Sequence, residues 1–238
     1  MRNNCTKFLF YQIERVITIG KNFLAKHNMT IDHYSGIYAF SKAFIHDFLP
    51  SNVSRIMVLD VDIIVLDDIY SIWEQFHLFK TNVTALGLVP WYLLVPNNYT
   101  YKGLYPDPYI SGVILYDMKI IRLINFLDLL DNLTNMASKE FRLKSFWTAD
   151  QTILSLFAVY FPKYFVTLPC FVNGHTFHYL LNGPTWKSSC KNQYPRTVHV
   201  VPSGRLKNPS DYFGRLYMFY KDMPSEWLST CLTSFNSN

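Results

Sequence analysis

The amino-acid sequence predicts an α/β fold, with helices flanking a mostly parallel β-sheet in one domain over residues 1–238. Three observations support this class. Short runs of Val, Ile and Leu alternate along the chain with segments of helical apolar spacing. Half of the residues are hydrophobic and only 16% are charged, so the chain can bury a sizeable core. The apolar run 55–66 is nearly continuous, as in a strand covered on both faces.

The charge pattern argues against nucleic-acid binding. The net charge is +5, but the Lys and Arg residues are scattered and form no basic block with interleaved aromatic residues. A small anionic partner fits this charge better. No uninterrupted apolar stretch reaches the ~18 residues of a transmembrane helix, and residues 1–6 do not resemble a signal peptide.

Cysteines and glycosylation acceptors bear on the compartment. No Cys-x-x-Cys pair occurs, which argues against a zinc ribbon or a thioredoxin-like site, and Cys170 and Cys190 can bridge one loop. Six Asn-x-Ser/Thr acceptors begin at Asn4, Asn28, Asn52, Asn82, Asn98 and Asn132. Their number, with the available disulfide pairing, favours the secretory lumen.

The chain begins with segments of helical or ambiguous pattern. Residues 7–19 fit either a strand or an amphipathic helix, and the periodicity does not decide between them. Residues 34–48 carry apolar side chains at three-to-four spacing, and Pro50 follows directly, which predicts a helix. Lys42 lies on this helix.

Two carboxylates interrupt the apolar run 55–66. Side chains alternate along a strand, so Asp60 and Asp62 should face the same way a few ångströms apart. Unpaired buried charge is costly, and hard cations such as Mn²⁺ or Mg²⁺ favour oxygen ligands. The pair therefore indicates a metal site at the carboxyl end of a strand. The alternative is that both aspartates cap the strand at a solvated loop.

The middle of the chain alternates strands and helices. Asp68 should cap a helix over residues 69–76, and residues 83–89 predict a short strand. The aromatic side chains of the long loop 90–108 either stack on sugar rings or pin the loop itself. Residues 109–116 predict a strand with Ser111 and Gly112, where glycine permits close approach of a ligand or of backbone.

Two helices follow. Residues 121–133 predict an amphipathic helix, and another begins after Trp147 with Asp150 and Gln151 near its start. Free backbone N–H groups at a helix start attract polar ligands, whereas capping by Thr148 or Asp150 is the alternative.

The last predicted strands come before a basic segment. Residues 164–173 predict a strand running into a loop, and residues 197–201 predict a strand that contains His199, either as a core residue or as a ligand. Gly204 and Arg205 follow, with Lys207, and two cations beside a flexible backbone suit a diphosphate. Residues 212–219 predict the last core helix.

Taken together, several motifs carry a resemblance over residues 30–220. They are Asp60-Val-Asp62, Ile110-Ser-Gly-Val113, Ala149-Asp-Gln151, Leu168-Pro-Cys-Phe-Val-Asn173, and His199 followed by Arg205. The set resembles glycosyltransferase family 8. More closely, His33-Tyr-Ser-Gly-Ile-Tyr38, Leu49-Pro-Ser-Asn52 and residues 55–62 resemble the xylosyltransferase domain of the LARGE xylosyl/glucuronosyltransferases.

The resemblance implies a GT-A, Rossmann-like fold and a retaining sugar transfer from a nucleotide sugar, with Mn²⁺ or Mg²⁺ as cofactor. By similarity, Asp60, Asp62 and His199 are the metal ligands. Such a cation bridges the donor diphosphate and stabilises the charge that develops on the leaving nucleotide. Gly204 and Arg205 fall in the diphosphate-binding segment, where Arg replaces the family's Lys.

The same resemblance assigns the donor sugar to Ser111, Gly112, Asp150 and Gln151, with Gln151 on the reacting face of the anomeric carbon. Lys42 falls on the basic position before the Asp pair. The implied partners are UDP-xylose and a glycoprotein glycan ending in glucuronic acid, in the Golgi or another secretory lumen. No strong nucleophile is present at these positions, which favours front-face transfer.

Some departures favour an alternative, a catalytically inactive or truncated relative that acts as a binding or scaffold protein. Ile110 stands where family members have Asn, and Thr152 stands where Asp is common. The first nucleotide-binding strand, expected before residue 7, is apparently missing, and so is the second glucuronosyltransferase domain. A hydrolase using Asp60 and Asp62 as acid and base is disfavoured, because carboxylates so close together on one strand do not flank a scissile bond.

Overall fold

The computed structural model describes residues 13–91, 108–175 and 193–199, together with Arg215 and Met218. Within these residues the main sheet has four strands, in the spatial order 55–59, 109–117, 86–90 and 165–167. These strands are β2 (Arg55–Leu59), β4 (Leu86–Pro90), β5 (Tyr109–Asp117) and β7 (Phe165–Thr167).

This sheet is mixed, which corrects the expectation of a mostly parallel sheet for the described strands. Strand β5 runs antiparallel to both β2 and β4, whereas β4 and β7 are parallel. Antiparallel neighbours need no helical crossover, whereas the passage from β2 to β4 contains the short helix Tyr70–Trp73 and the passage from β5 to β7 contains three helices. The α/β class is confirmed.

Two smaller sheets complete the described strands. Strand β9 (Thr197–His199) lies between β3 (Ile63–Val65), to which it is antiparallel, and β8 (Gly174–His175), to which it is parallel. Strands β1 (Thr30–Ile31) and β6 (Ser145–Phe146) form a parallel pair. The β3–β9 pairing joins the segment after the Asp pair to the segment that ends in His199.

Six α-helices have both ends within the described residues: α1 (Glu14–His27), α2 (Gly36–Phe40), α3 (Tyr70–Trp73), α4 (Met118–Leu123), α5 (Phe126–Phe141) and α6 (Asp150–Tyr160). Helices α2 and α3 continue as the 3₁₀ segments Ser41–Asp47 and Glu74–Leu78, and shorter 3₁₀ turns span Pro162–Tyr164 and Cys170–Val172. The predicted helix over 34–48 is therefore half α-helix and half 3₁₀.

Local chemistry explains several helix boundaries. The open alternative at residues 7–19 resolves as helix from Glu14 onward, and its earlier part lies outside the described residues. The carboxylate of Asp68 accepts a hydrogen bond of 2.9 Å from the N–H of Tyr70, as predicted for a cap. The helix predicted over 121–133 is split at Asn125, whose φ of 48° ends α4 and redirects the chain into α5.

The sheet has an apolar core on each face, as the continuous Val/Ile/Leu runs predicted. One core packs Phe40, Phe44, Ile114, Leu154 and Phe157 between the sheet and helices α1, α2, α5 and α6. The other core lies on the opposite face, where α3 and its 3₁₀ extension pack against the sheet. It includes Ile72, Phe76, Val89, Leu115 and Leu168. This double coverage makes β5 a rigid central support, because most of its residues are buried.

Cys170 is disulfide-bonded. Cys5, Cys190 and Cys231 lie outside the described residues, so its pairing with Cys190 stays a prediction. Within the described residues, no helix combines the length and the apolarity that a membrane crossing requires.

Candidate functional site

The Asp pair lies in a turn rather than along one strand. Strand β2 ends at Leu59 and β3 begins at Ile63, and the N–H of Ile63 donates to the carbonyl of Asp60 at 3.1 Å. Aspartate suits such turns because its short polar side chain tolerates irregular backbone. The N–H of Asp60 donates to the carbonyl of Gly112 at 2.9 Å, which anchors the turn to β5, while Val61 projects fully into solvent.

His199 joins the two aspartates through strand pairing. It lies opposite Ile63 in the β3–β9 ladder. Its Nε2 is 3.1 Å from Oδ1 of Asp62 and 3.7 Å from Oδ2 of Asp60. One ligand atom from each of these three residues lies within 4.8 Å of the others. Two carboxylates and an imidazole at this spacing fit a divalent cation such as Mn²⁺.

Lys42 borders the other side of Asp60. Its Nζ donates to Oδ1 of Asp60, lies 3.0 Å from Oδ2 of Asp150, and donates to the carbonyl of Ser111 at 3.2 Å. Burial lowers the pKa of Lys42, but the charges of Asp150 and Asp60 outweigh burial and raise it above its ordinary value. The ammonium therefore stays charged and holds the two carboxylates together.

Asp150 is buried at the start of α6. Burial raises its pKa to about 6, although the positive charge of Lys42 opposes the rise. Ala149, directly before it, has φ 54° and ψ −118°, a backbone conformation that L-residues rarely adopt. Strain of this kind collects at functional sites, where the surrounding packing holds it. A hydrogen bond from Ser111 favours the ionised form of Asp150.

Asp62 is held as a carboxylate. Burial works to raise its pKa, yet the hydrogen bond and charge of His199, with a further contribution from Lys42, bring the pKa below its ordinary value. An ionised, half-exposed carboxylate can bind a metal cation without first losing a proton.

Gly112 is required by space. A methyl group on its Cα would lie 2.6 Å from Nδ1 of His199 and 3.1 Å from Nδ2 of Asn173. The register between β4 and β5 also shifts here, since Gly87 pairs with Leu115 but Val89 pairs with Ile110. Such irregularities redirect side chains beside functional sites. Glycine at this position lets the imidazole approach β5 closely.

The structure brings most of the predicted site residues together. Lys42, Asp60, Ser111 and Asp150 form one connected group, and Asp62, Gly112 and His199 adjoin it. Gln151 is partly exposed in the first turn of α6, and no hydrogen bond or ion pair from its side chain to this group occurs among the described residues. Gly204 and Arg205 lie outside the described residues.

The two departures from the motif pattern have structural explanations. Ile110 is buried in the core on the α3 side of the sheet. The hydroxyl of Thr152 accepts a hydrogen bond of 3.2 Å from the N–H of Thr148, so Thr152 supports the start of α6. Neither side chain reaches the charged cluster through a described contact.

Sequence reasoning gave no role to three residues beside the site. Burial and the charge of Lys42 lower the pKa of His33, while burial and the charges of Asp62 and Asp60 raise the pKa of Tyr34. The charges of the cluster therefore act on both side chains. Asn173 is fully buried beside Gly112 and His199. Its position in the Leu-Pro-Cys-Phe-Val-Asn motif was the only sequence signal for it.

The fold is that of GT-A glycosyltransferases. The apo form of mouse xyloside xylosyltransferase 1 superposes with a TM-score of 0.59 and 17% identity, covering 82% of this chain and 76% of that one. The galactosyltransferase LgtC, solved with donor and acceptor sugar analogues, gives a TM-score of 0.55 and 15% identity, covering 87% of this chain and 76% of that one. At these identities the likeness establishes the fold alone.

In sequence, the chain is similar to the LARGE xylosyl- and glucuronyltransferases. It is 37% identical to LARGE1 of Gallus gallus over 149 residues, 59% of this chain and 19% of that protein. It is 35% identical to LARGE2s of Danio rerio over 201 residues, 79% of this chain and 25% of that protein.

A third relative, the LARGE-like glycosyltransferase of Caenorhabditis elegans, is 25% identical over 216 residues, 87% of this chain and 32% of that protein. The chain thus spans about a fifth to a third of the length of these relatives. No family model matches the chain.

Proposed function

We propose that this protein is a divalent-cation-dependent, retaining glycosyltransferase that moves a sugar from a nucleoside diphosphate donor to a glycan acceptor. The observation that carries the proposal is the convergence of Asp60, Asp62 and His199 within 4.8 Å, at the edge of a GT-A sheet. Bound there, Mn²⁺ or Mg²⁺ supplies positive charge for the donor diphosphate and the leaving nucleotide.

Charge balance supports a cation at this position. Within the described residues, the ammonium of Lys42 pairs with the carboxylates of Asp60 and Asp150, and the carboxylate of Asp62 faces His199. With the three carboxylates ionised, the negative charge of these described residues exceeds the positive charge of Lys42. Concentrated excess charge is costly at a partly buried site, and a divalent cation neutralises it.

The remaining residues have positioning roles in this proposal. Lys42 holds Asp60 and Asp150 in place, and Asp150 accepts hydrogen bonds from donor-sugar hydroxyls beside Ser111 and Gly112. Gln151 faces the anomeric carbon, and Gly204 and Arg205 bind the diphosphate. The bond from the anomeric carbon to phosphate breaks while a bond to the acceptor oxygen forms on the same face. In this proposal the departing diphosphate oxygen takes up the proton of the acceptor hydroxyl.

The donor is UDP-xylose and the acceptor a glycan ending in glucuronic acid. Support comes from the relatives, which are named xylosyl- and glucuronyltransferases. The compartment is the Golgi or another secretory lumen, because Cys170 is disulfide-bonded and the acceptor asparagines Asn28, Asn52 and Asn82 are all exposed.

A calorimetric titration of UDP with and without Mn²⁺ tests the cation-dependent site. We expect Mn²⁺ to tighten UDP binding at least tenfold in the wild-type chain, and Asp62→Asn to remove this enhancement. The matched control is Asp128→Asn, which changes an exposed carboxylate on α5 and should behave as the wild type. UDP binding that ignores Mn²⁺ would contradict the proposal.

Turnover separates the enzyme from its alternative, a binding or scaffold relative. The burial of Ile110, which leaves no amide at that position for the donor sugar, favours the alternative. Release of UDP from UDP-xylose, followed with and without a glucuronide acceptor, decides between them. Metal-enhanced UDP binding without any sugar transfer across a panel of UDP-sugars would support the binding protein.

A further inference from the structure

The carboxamide of Asn173 has an unexplained environment. Its side chain is 0% exposed, yet both Oδ1 and Nδ2 lack a hydrogen-bond partner among the described residues. A buried amide without partners costs free energy, and native proteins rarely tolerate one without a reason. The position of Asn173 supplies that reason.

The backbone holds Asn173 against the strand that carries His199. Strand β8 starts directly after Asn173 and pairs with β9, so that His175 lies opposite His199. The hydroxyl of Thr197 donates to the carbonyl of Val172 at 2.5 Å. These contacts fix the backbone of Asn173 beside β9.

Asn173 and His199 border the same small space next to Gly112. The methyl group that Gly112 lacks would lie 2.6 Å from Nδ1 of His199 and 3.1 Å from Nδ2 of Asn173. Nε2 of His199 faces Asp62 at 3.1 Å, so Nδ1 is directed to the opposite side of the ring, where the carboxamide lies.

We infer that Asn173 is a positioning residue that orients the imidazole of His199 toward the cation site. This inference rests on the proposed function, in which Nε2 of His199 is a metal ligand. Metal-binding histidines donate their other ring N–H to an acceptor that sets the tautomer and the ring orientation. The Oδ1 of Asn173 is that acceptor.

A carboxamide suits this task because it can serve both states of the imidazole. Without metal, Nε2–H donates to Asp62, and Nδ2–H of Asn173 can donate to Nδ1. With metal on Nε2, the ring proton resides on Nδ1, and a half-turn of the carboxamide presents Oδ1 to it. A carboxylate at position 173 would serve only the second state, and an apolar side chain would serve neither.

The same chain contains this arrangement elsewhere. His27 lies between Asp131, at 2.7 Å from Nε2, and Asn135, whose Oδ1 is 3.1 Å from Nδ1. There too an aspartate faces one ring nitrogen and an asparagine faces the other.

The first test measures Mn²⁺ affinity by electron paramagnetic resonance of the free ion. Asn173→Leu should weaken binding about 10- to 100-fold, the range found for such supporting residues. Asn173→Asp, which keeps the acceptor, should stay within about threefold of the wild type. The control Thr134→Val removes another fully buried side-chain oxygen without a partner, on α5, and should leave the affinity unchanged.

A second readout needs no metal. In the metal-free wild-type chain, the side-chain NH₂ of Asn173 should show a nuclear Overhauser effect to the His199 ring by NMR. Diamagnetic Mg²⁺ should then move the His199 ring proton from Nε2 to Nδ1. If the wild type binds no cation, the proposed function fails, and the nuclear Overhauser effect still decides whether Asn173 contacts the imidazole.

The inference is overturned if Asn173→Leu folds with unchanged near-ultraviolet circular dichroism and keeps wild-type Mn²⁺ affinity. The absence of a nuclear Overhauser effect between the Asn173 NH₂ and the His199 ring in the metal-free wild type overturns it as well. Should the leucine variant fail to fold, Asn173→Ala is measured against Asn173→Asp, and equal affinities of these two variants count against the inference.

Discussion

Two clusters in this protein combine the same residue types with opposite charge balance. On the α1–α5 surface, Asp131 bonds to both Lys26 and His27. At the sheet edge, Asp60 bonds to Lys42 and faces His199, but Asp62 and Asp150 join it. The first cluster has one carboxylate for a lysine and a histidine, and the second has three.

This difference separates a balanced structural cluster from the cluster that we propose to bind a cation. One carboxylate satisfies its two partners and ties α1 to α5, so the first cluster needs nothing further. The second keeps excess negative charge beside Lys42, and two of its carboxylates are accessible at the turn around Val61. Surplus charge at a rigid, open position is expected where a cation binds.

The largest expected effect comes from Asp60, which contacts Lys42 on one side and faces His199 on the other. Asp60→Asn should weaken Mn²⁺-dependent UDP binding more than 100-fold, because it removes a ligand and one of the excess charges. The fold should persist, since Lys42 keeps Asp150 as its partner. The matched change in the other cluster, Asp131→Asn, should leave UDP binding unaltered, and equal losses in both variants would remove the distinction between the clusters.

The pH dependence of stability tests the burial of Asp150. Its pKa in the folded chain is about 6, above the ordinary 3.8, so the folded state binds the extra proton between these values. The resulting stabilisation is present below pH 3.8 and lost as the pH rises through about 6. Asp150→Asn cannot lose this stabilisation. The difference in the free energy of unfolding between this variant and the wild type should therefore shift in favour of the variant by up to about 3 kcal/mol between pH 3.5 and pH 7. Denaturant titrations at each pH measure the difference, and a constant difference contradicts the assignment.

The space beside Gly112 gives the next effect. Gly112→Ala places a methyl group 2.6 Å from the His199 ring, so we expect about 1–3 kcal/mol of destabilisation and a clear loss of Mn²⁺ affinity. Gly20→Ala is the comparison: its methyl group meets the end of the Ile37 side chain at 3.1 Å, and helix propensity offsets the contact. Chemical denaturation and metal titration of both variants check this, and an unchanged Gly112→Ala variant would show that the ring lies elsewhere.

The smallest effect is expected at the balanced cluster. Asp131→Ala should lower the free energy of unfolding by about 1 kcal/mol, because Lys26 is largely exposed and only the contact with the buried His27 is costly to lose. Thermal unfolding of this variant beside Asp128→Asn, an exposed substitution on the same helix, measures it. Any change in Mn²⁺ affinity would mean that the two clusters communicate.

The same contrast shows what the sequence could reveal. Apolar runs and helical spacing predicted both cores and most helices, because periodicity follows burial directly. The carboxylates of Asp60 and Asp62 were visible because they interrupt such a run. The turn between β2 and β3 was not, since the apolar pattern continues on both sides of it and the break depends on pairing with β9.

Contacts between distant segments were beyond sequence reasoning alone. The ion pairs of Lys42 require the 3₁₀ segment after α2, the turn after β2 and the start of α6 to meet at one point. The buried amide of Asn173 gains meaning only once Gly112 and His199 are beside it. The split of the main sheet into antiparallel and parallel pairs likewise depends on strand order, which local pattern does not encode.

The number of Mn²⁺ ions bound per chain tests the central claim most directly. Titration of the wild type, Asp60→Asn and Asp131→Asn, followed by electron paramagnetic resonance of free Mn²⁺, gives this number for each. The account predicts a single ion for the wild type and for Asp131→Asn, and none for Asp60→Asn at the same concentrations. A wild-type chain that binds no Mn²⁺ in the presence of UDP, or an Asp60→Asn variant that binds it equally well, would contradict the account.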